Sequence, residues 1–165
     1  MPAKTSAETS PYAKAEAEFG AHEERILVLQ GGGALGAYQA GVHEGLATAG
    51  FAPNWVAGTS IGAINAALIA GNPPEMRLER LKAFWDLVSS RTPGFPPFAG
   101  MDLMRPWLNR MSAASATVFG IPGFYVPRVP APAFAPEGSI AALSYYDTEP
   151  LRATLNKLID FDLIN

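Results

Sequence analysis

The chain has 165 residues, enough for one domain with a sizeable core and short for a large α/β enzyme. Its 48% hydrophobic content is that of a globular protein, and a formal net charge of −3 gives no electrostatic case for a nucleic-acid partner. With no cysteine, disulfides, thiolate nucleophiles and Cys-based metal sites are excluded together, and a reducing, cytoplasmic compartment is expected.

Residues 1–24, MPAKTSAETSPYAKAEAEFGAHEE, are polar and Ala-rich and lack the apolar segment of a secretory signal, so they read as a mobile tail before a single domain at 25–165. Ile26 to Leu29 is a short continuous apolar run, the pattern of a strand covered on both faces, and it ends at three glycines. Tyr38, Val42 and Leu46 then recur at a spacing of four among the small residues Ala37, Ala40, Gly41 and Gly45. This predicts a helix lying close against a sheet and ending near Gly50. After Pro53, Trp55 to Ala57 reads as a second strand that stops at Gly58-Thr59-Ser60-Ile61-Gly62. A helix follows from about Ile61 to Ala70, closed by Gly71 and Asn72-Pro73-Pro74. Strand, helix, strand, helix in this order predicts an α/β fold on a parallel sheet with right-handed crossovers. The uncharged stretch from Trp55 to Gly71 is too short to span a membrane and is interrupted by Thr59, Ser60 and Asn65.

A third helix is expected from Pro74 to about Val88, with Met76, Leu81, Phe84, Trp85 and Val88 on its apolar face. Beyond it, prolines and aromatics interleave over about 91–138, with one helix expected around Asp102 to Met111. Such a composition cannot sustain a regular strand or helix for long and predicts a long surface excursion. Leu151 to Ile159 reads as a last helix, capped by Asp147 or Thr148 with Pro150 in its first turn, and Phe161 to Asn165 reads as the start of another strand.

Two glycine motifs carry the chemistry. Gly31-Gly32-Gly33-Ala34-Leu35-Gly36 satisfies G-x-G-x-x-G between a strand and a helix, the setting of a dinucleotide fingerprint. That fingerprint also needs an acidic residue about twenty positions on to hold the ribose; no Asp or Glu occurs between Glu44 and Glu75. The end of the next strand instead carries G-x-S-x-G, Gly58 to Gly62. There a sharp turn exposes the Ser60 hydroxyl, and the following helix, opening at Ile61, directs its positive end at charge developing beside it. On this reading Gly31, Gly32 and Gly33 offer N–H donors to the oxyanion formed when Ser60 attacks a carbonyl.

QGGGALGAYQAGV followed by GTSIGAINAALIAG strongly resembles the patatin-like lipid acyl hydrolases over about Ile26 to Trp85. The resemblance implies a three-layer α/β fold on a parallel sheet, of which this chain would hold the N-terminal part. It also implies cleavage of fatty acyl esters of phospholipids and other lipids by a Ser–Asp dyad, with no catalytic histidine, no cofactor and no metal. Carried over by position, Ser60 is the nucleophile, Gly31, Gly32 and Gly33 form the oxyanion hole, and Gly58, Ile61 and Gly62 shape the nucleophile turn. Two departures stand out: Gln30 where many relatives are acidic and Leu35 where many are basic. The family's D-G-G or D-G-A aspartate also has no counterpart, since none of Asp86, Asp102, Asp147, Asp160 and Asp162 precedes a glycine. The expected partners are a lipid or acyl ester, a membrane touched peripherally, and further sequence beyond Asn165, or another chain, that supplies the aspartate. The alternative is a truncated, non-catalytic lipid-binding fragment.

Other readings compete at single residues. Ser60 also suits a helix N-cap. His43, beside Glu44, is expected on a solvated helix face rather than as a general base, and His22 is incidental to the tail. Asn65 is expected to be buried and satisfied by backbone. Phe95, Phe98, Trp107, Phe119, Phe124, Tyr125 and Phe134 suit either an acyl groove or ordinary packing.

Overall fold

The computed structural model describes residues 24–89 and 116–164, which fall into two compact units. The tail at 1–23 and the expected helix at Asp102 to Met111 lie outside the described residues.

The first unit comprises residues 24–82 and 159–164. Its sheet has two parallel strands, β1 (Ile26–Leu29) and β2 (Trp55–Gly58), joined through helix α1 (Gly36–Thr48) and followed by α2 (Ile61–Ala70) and the first turns of α3 (Arg77–Ser89). The register pairs Ile26 with Trp55 and Leu29 with Gly58, so both strands end at the same edge. Arg25 and Asn54 set that register at the start: the Arg25 amide donates to Asn54 Oδ1 at 2.7 Å, and the Arg25 carbonyl accepts from the Asn54 amide at 3.2 Å. The α/β order and both strands are as the sequence predicts.

α1 ends where Gly50 adopts φ 85°, a left-handed conformation that costs a side chain dearly. The Phe51 amide reaches back to the Leu46 carbonyl and the Gly50 amide to that of Ala47, which satisfies carbonyls the helix leaves open. α2 is buried on most sides through Ile61, Asn65, Ala66, Leu68 and Ile69, as its continuous apolar sequence dictates. Among the described residues no helix is long and apolar enough to cross a membrane.

Four expectations are corrected here. β1 is open on one face, where Ile26 is 50% and Val28 73% exposed, because the helices pack on the side to which Leu29 points. α1 does not turn Tyr38 inward; Tyr38 is 78% exposed, and the buried positions are Gly36, Ala40 and His43. Small residues at 36 and 40 let the helix approach closely, and that approach outweighs the period-four apolar signal. His43 is therefore not on a solvated face: it is 1% exposed. Its neighbour Glu44 does reach solvent and pairs with Lys82 at 2.9 Å. Finally, residues 161–164 form a 3-10 turn and not a strand. Asp160 causes this, because its amide is held by the Gly71 carbonyl at 2.8 Å while its carboxylate accepts the Asp162 amide at 3.0 Å and curls the chain.

The second unit comprises residues 83–89 and 116–158. Phe84 is fully buried, with Trp85 and Phe124 at ring-centroid distances of 5.3 and 6.3 Å. Among the described residues from 116 to 148 the elements are short: β3 (Val126–Pro127) pairs antiparallel with β4 (Tyr146–Asp147), and 3-10 turns occur at Pro132–Phe134 and Ile140–Ala142. α4 (Glu149–Leu158) closes the unit, its first amide accepted by Asp147 Oδ1 at 3.0 Å, which is the cap expected from sequence.

Burial, with the charge of Arg77, pushes the His43 imidazole down from 6.5 to about 4. Between those values the unfolded chain binds a proton that the folded chain refuses, so stability is full above pH 6.5 and falls as the pH drops toward 4. A shift of this size corresponds to a loss on the order of 3 kcal/mol. Denaturant titrations at pH 7 and pH 4.5 should show that loss, and His43→Gln should flatten the slope between them.

Candidate active site

The two glycine motifs meet at one edge of the sheet. The strand ladder continues one residue past β2, where the Thr59 amide donates to the Leu29 carbonyl at 3.0 Å, so Gln30–Gly31 and Thr59–Ser60 leave the sheet side by side. Adjacent strands are about 4.8 Å apart, and at this spacing bulk between the turns decides whether they can touch. There is almost none. A methyl group added to Gly62 would overlap the Leu29 carbonyl oxygen and stand 2.8 Å from that of Gln30; one added to Gly58 would overlap the Gly62 carbonyl. Both glycines of the serine turn are required by close backbone approach.

Gly31 lies against Ser60. A methyl group on it would stand 3.2 Å from Ser60 Cβ and 3.9 Å from Oγ, so the first residue of the glycine loop borders the serine hydroxyl. Gly33 adopts φ 55° and opens a 3-10 turn, Gly33–Leu35, that leads into α1. Residues 31–35 and Ser60 are all exposed. No residue from Gln30 to Gly36 is charged, so N–H donors and helix ends dominate the local field.

Ser60 has φ 55° and ψ −126°, and among the described residues it is the one non-glycine with positive φ. Such a conformation costs about 1–3 kcal/mol and persists only where the surroundings impose it. Ser60 occupies the N-cap position of α2, yet its hydroxyl makes no capping hydrogen bond. The N-cap reading therefore does not account for the side chain. The turn is held by backbone instead: the Ser60 carbonyl accepts the Ala63 amide at 2.8 Å, and the Thr59 carbonyl accepts that of Gly62 at 3.0 Å.

Behind the turn lies a pair of amides. Asn65, fully buried on α2, donates through Nδ2 to the Gly36 carbonyl at 2.9 Å and to Gln39 Oε1 at 2.8 Å, and Gln39 Nε2 donates to the Gln30 carbonyl at 2.7 Å. The expected backbone satisfaction of Asn65 is present, with a side-chain partner besides. Gln39 was not legible as a site residue; its one sequence signal is a place one turn after Gly36 on the same helix face. Of the aromatic set, Phe124 and Tyr125 pack edge-on at 5.9 Å while Phe119 and Phe134 are exposed, and Phe95, Phe98 and Trp107 lie outside the described residues.

These features define an α/β protein in which a glycine-rich strand-to-helix loop abuts a serine turn at the head of a second helix. The family model of patatin-like phospholipases matches residues 27–165, and the chain belongs to that family. Membership makes it a protein of the lipid acyl hydrolase class, whose substrates are lipids. No curated protein and no solved structure matches the chain.

Gly62→Ala should destabilise the first unit by about 1–3 kcal/mol, read as a fall in denaturation midpoint, because the new methyl meets main-chain atoms that cannot rotate away. Ser60→Gly should prove at least as stable as Ser60→Ala, since glycine accepts φ 55° without strain and alanine does not.

Proposed function

We propose that the chain hydrolyses lipid acyl esters through Ser60. The observation that supports this most is the Ser60 turn itself, a strained backbone that presents an uncommitted hydroxyl beside Gly31. Ser60 Oγ attacks the ester carbonyl carbon, and the carbonyl oxygen becomes an oxyanion that accepts hydrogen bonds from the amides of Gly31, Gly32 and Gly33. Loss of one such donor typically costs about 10²- to 10³-fold in turnover. The base that takes the Oγ proton returns it to the leaving oxygen as the tetrahedral species collapses, so the alcohol departs and an acyl-serine remains, which water then hydrolyses. Gly58, Ile61 and Gly62 build the turn and start the helix whose positive end faces the developing charge. The protein would work from the aqueous, cytoplasmic side of a lipid surface, with peripheral contact alone and with neither metal nor cofactor.

Activation of Oγ requires a base. His43 does not suit that role, since burial, with the charge of Arg77, holds its imidazole neutral. An aspartate is the base that family membership implies, and no aspartate of this sequence stands in an Asp-Gly pair. That observation favours a second reading, in which the chain binds lipid esters through the same turn without turning them over.

A fluorophosphonate probe and a short-chain p-nitrophenyl ester separate the two. Labelling that is lost in Ser60→Ala, together with ester turnover, supports hydrolysis; labelling without turnover supports binding alone; labelling that survives Ser60→Ala refutes both. Gly31→Ala should slow labelling by about tenfold or more, because its methyl displaces the loop from the serine by a few tenths of an ångström.

A further inference from the structure

The Asn65–Gln39 pair is held in one arrangement by the carbonyls at its ends. The Gln30 oxygen can only accept, so Gln39 must present Nε2 to it and Oε1 to Asn65; the Gly36 oxygen likewise can only accept, so Asn65 must present Nδ2. Neither amide can flip without facing oxygen to oxygen. Asn65 is fully buried and sits five residues after Ser60 on the helix that Ser60 precedes, so the serine turn and the glycine loop are tied through two side chains.

The carbonyl that Gln39 grips is the one immediately before Gly31. The Gln30–Gly31 peptide is trans, so its C=O and the Gly31 N–H lie in one plane and point in opposite directions. The oxygen accepts from Gln39 Nε2 and lies close to Gly62, so this hydrogen bond sets the plane in which the Gly31 N–H lies. Without this grip, glycines at 31 to 33 leave the peptide free to rotate.

We propose that Gln39, oriented by Asn65, is a positioning residue of the oxyanion loop: it fixes the Gln30–Gly31 peptide plane and so the direction of the Gly31 N–H. This rests on the hydrolase reading above. Gln39 touches no reacting atom; it acts on the amide that does. The interaction is of the kind that should affect the transition state more than substrate binding, because an oxyanion exists only after attack.

The test uses the whole chain and four variants: Ser60→Ala, Gln39→Glu, Gln39→Met and Gln39→Lys. The readouts are the rate of fluorophosphonate labelling at Ser60, kcat and KM on a p-nitrophenyl ester, and the melting midpoint. Gln39→Glu still accepts from Asn65 but opposes the Gln30 carbonyl, and Gln39→Met makes neither bond. Both should lower the labelling rate and kcat by about tenfold with KM within about twofold of the unmodified chain. Gln39→Lys restores a donor to the Gln30 carbonyl and should recover most of the rate. Wild-type rates in Gln39→Glu and Gln39→Met, or a Lys variant as slow as these two, would overturn the positioning role and leave the hydrolase reading intact. Absence of labelling at Ser60 in the unmodified chain would overturn the hydrolase reading, and this inference with it.

Discussion

The arrangement depends on one constraint: two four-residue parallel strands pair in register and stop together. Leu29 opposite Gly58, extended by the Thr59 amide on the Leu29 carbonyl, places two strand-to-helix turns at a single edge. In a parallel pair each strand emerges at the same end, so a shift of one residue would separate the turns by about 3.3 Å and reverse which side chains face the helices. Arg25 and Asn54 guard the register at the far end. The glycines at 58 and 62 then remove the bulk that would hold the turns apart. Backbone placement thus sets the candidate site, with the exposed Ser60 at the head of α2 beside Gly31.

This explains why the placement of the candidate site was more legible than its surroundings. G-x-S-x-G after a short apolar run encodes a turn almost by itself, because each glycine answers a backbone collision that any Cβ would create. The boundaries of β1, β2 and α2 and the end of α1 were likewise readable, being set by glycines, among them Gly50 at the close of α1. Orientation was not. Tyr38, Val42 and Leu46 have a convincing helical period, yet the helix packs through Gly36, Ala40 and His43. Periodicity reports which residues are apolar, whereas the buried face is chosen by how closely two backbones can approach. His43 was misplaced for that reason, and Gln39 was invisible because its role depends on a carbonyl nine residues earlier and an amide on another helix. The last residues failed differently: Phe161, Leu163 and Ile164 suit a strand, but two hydrogen bonds at Asp160 curl the chain before pairing can begin.

Family membership and local geometry bear on different questions. The match over residues 27–165 fixes the class of chemistry and of substrate. The strain at Ser60 and the contact with Gly31 bear on which atoms would perform it. The loop carries Gln30 and Leu35, so it brings peptide dipoles and no side-chain charge of its own. Dipoles held rigidly are effective only while their direction is maintained, which is why a hydrogen-bonded scaffold behind the loop matters more here than beside a charged one.

The uncovered side of the first sheet has a practical bearing on enzymology. Ile26 and Trp55 are register partners, and with Val28 they expose nonpolar side chains on a sheet that has two strands among the described residues. Copies of the chain in dilute buffer will tend to stick through that surface, and detergent or lipid will compete with the sticking. Any specific activity would therefore be better referred to the number of serines that a titrant labels, since mass of protein would fold colloidal state into every rate constant.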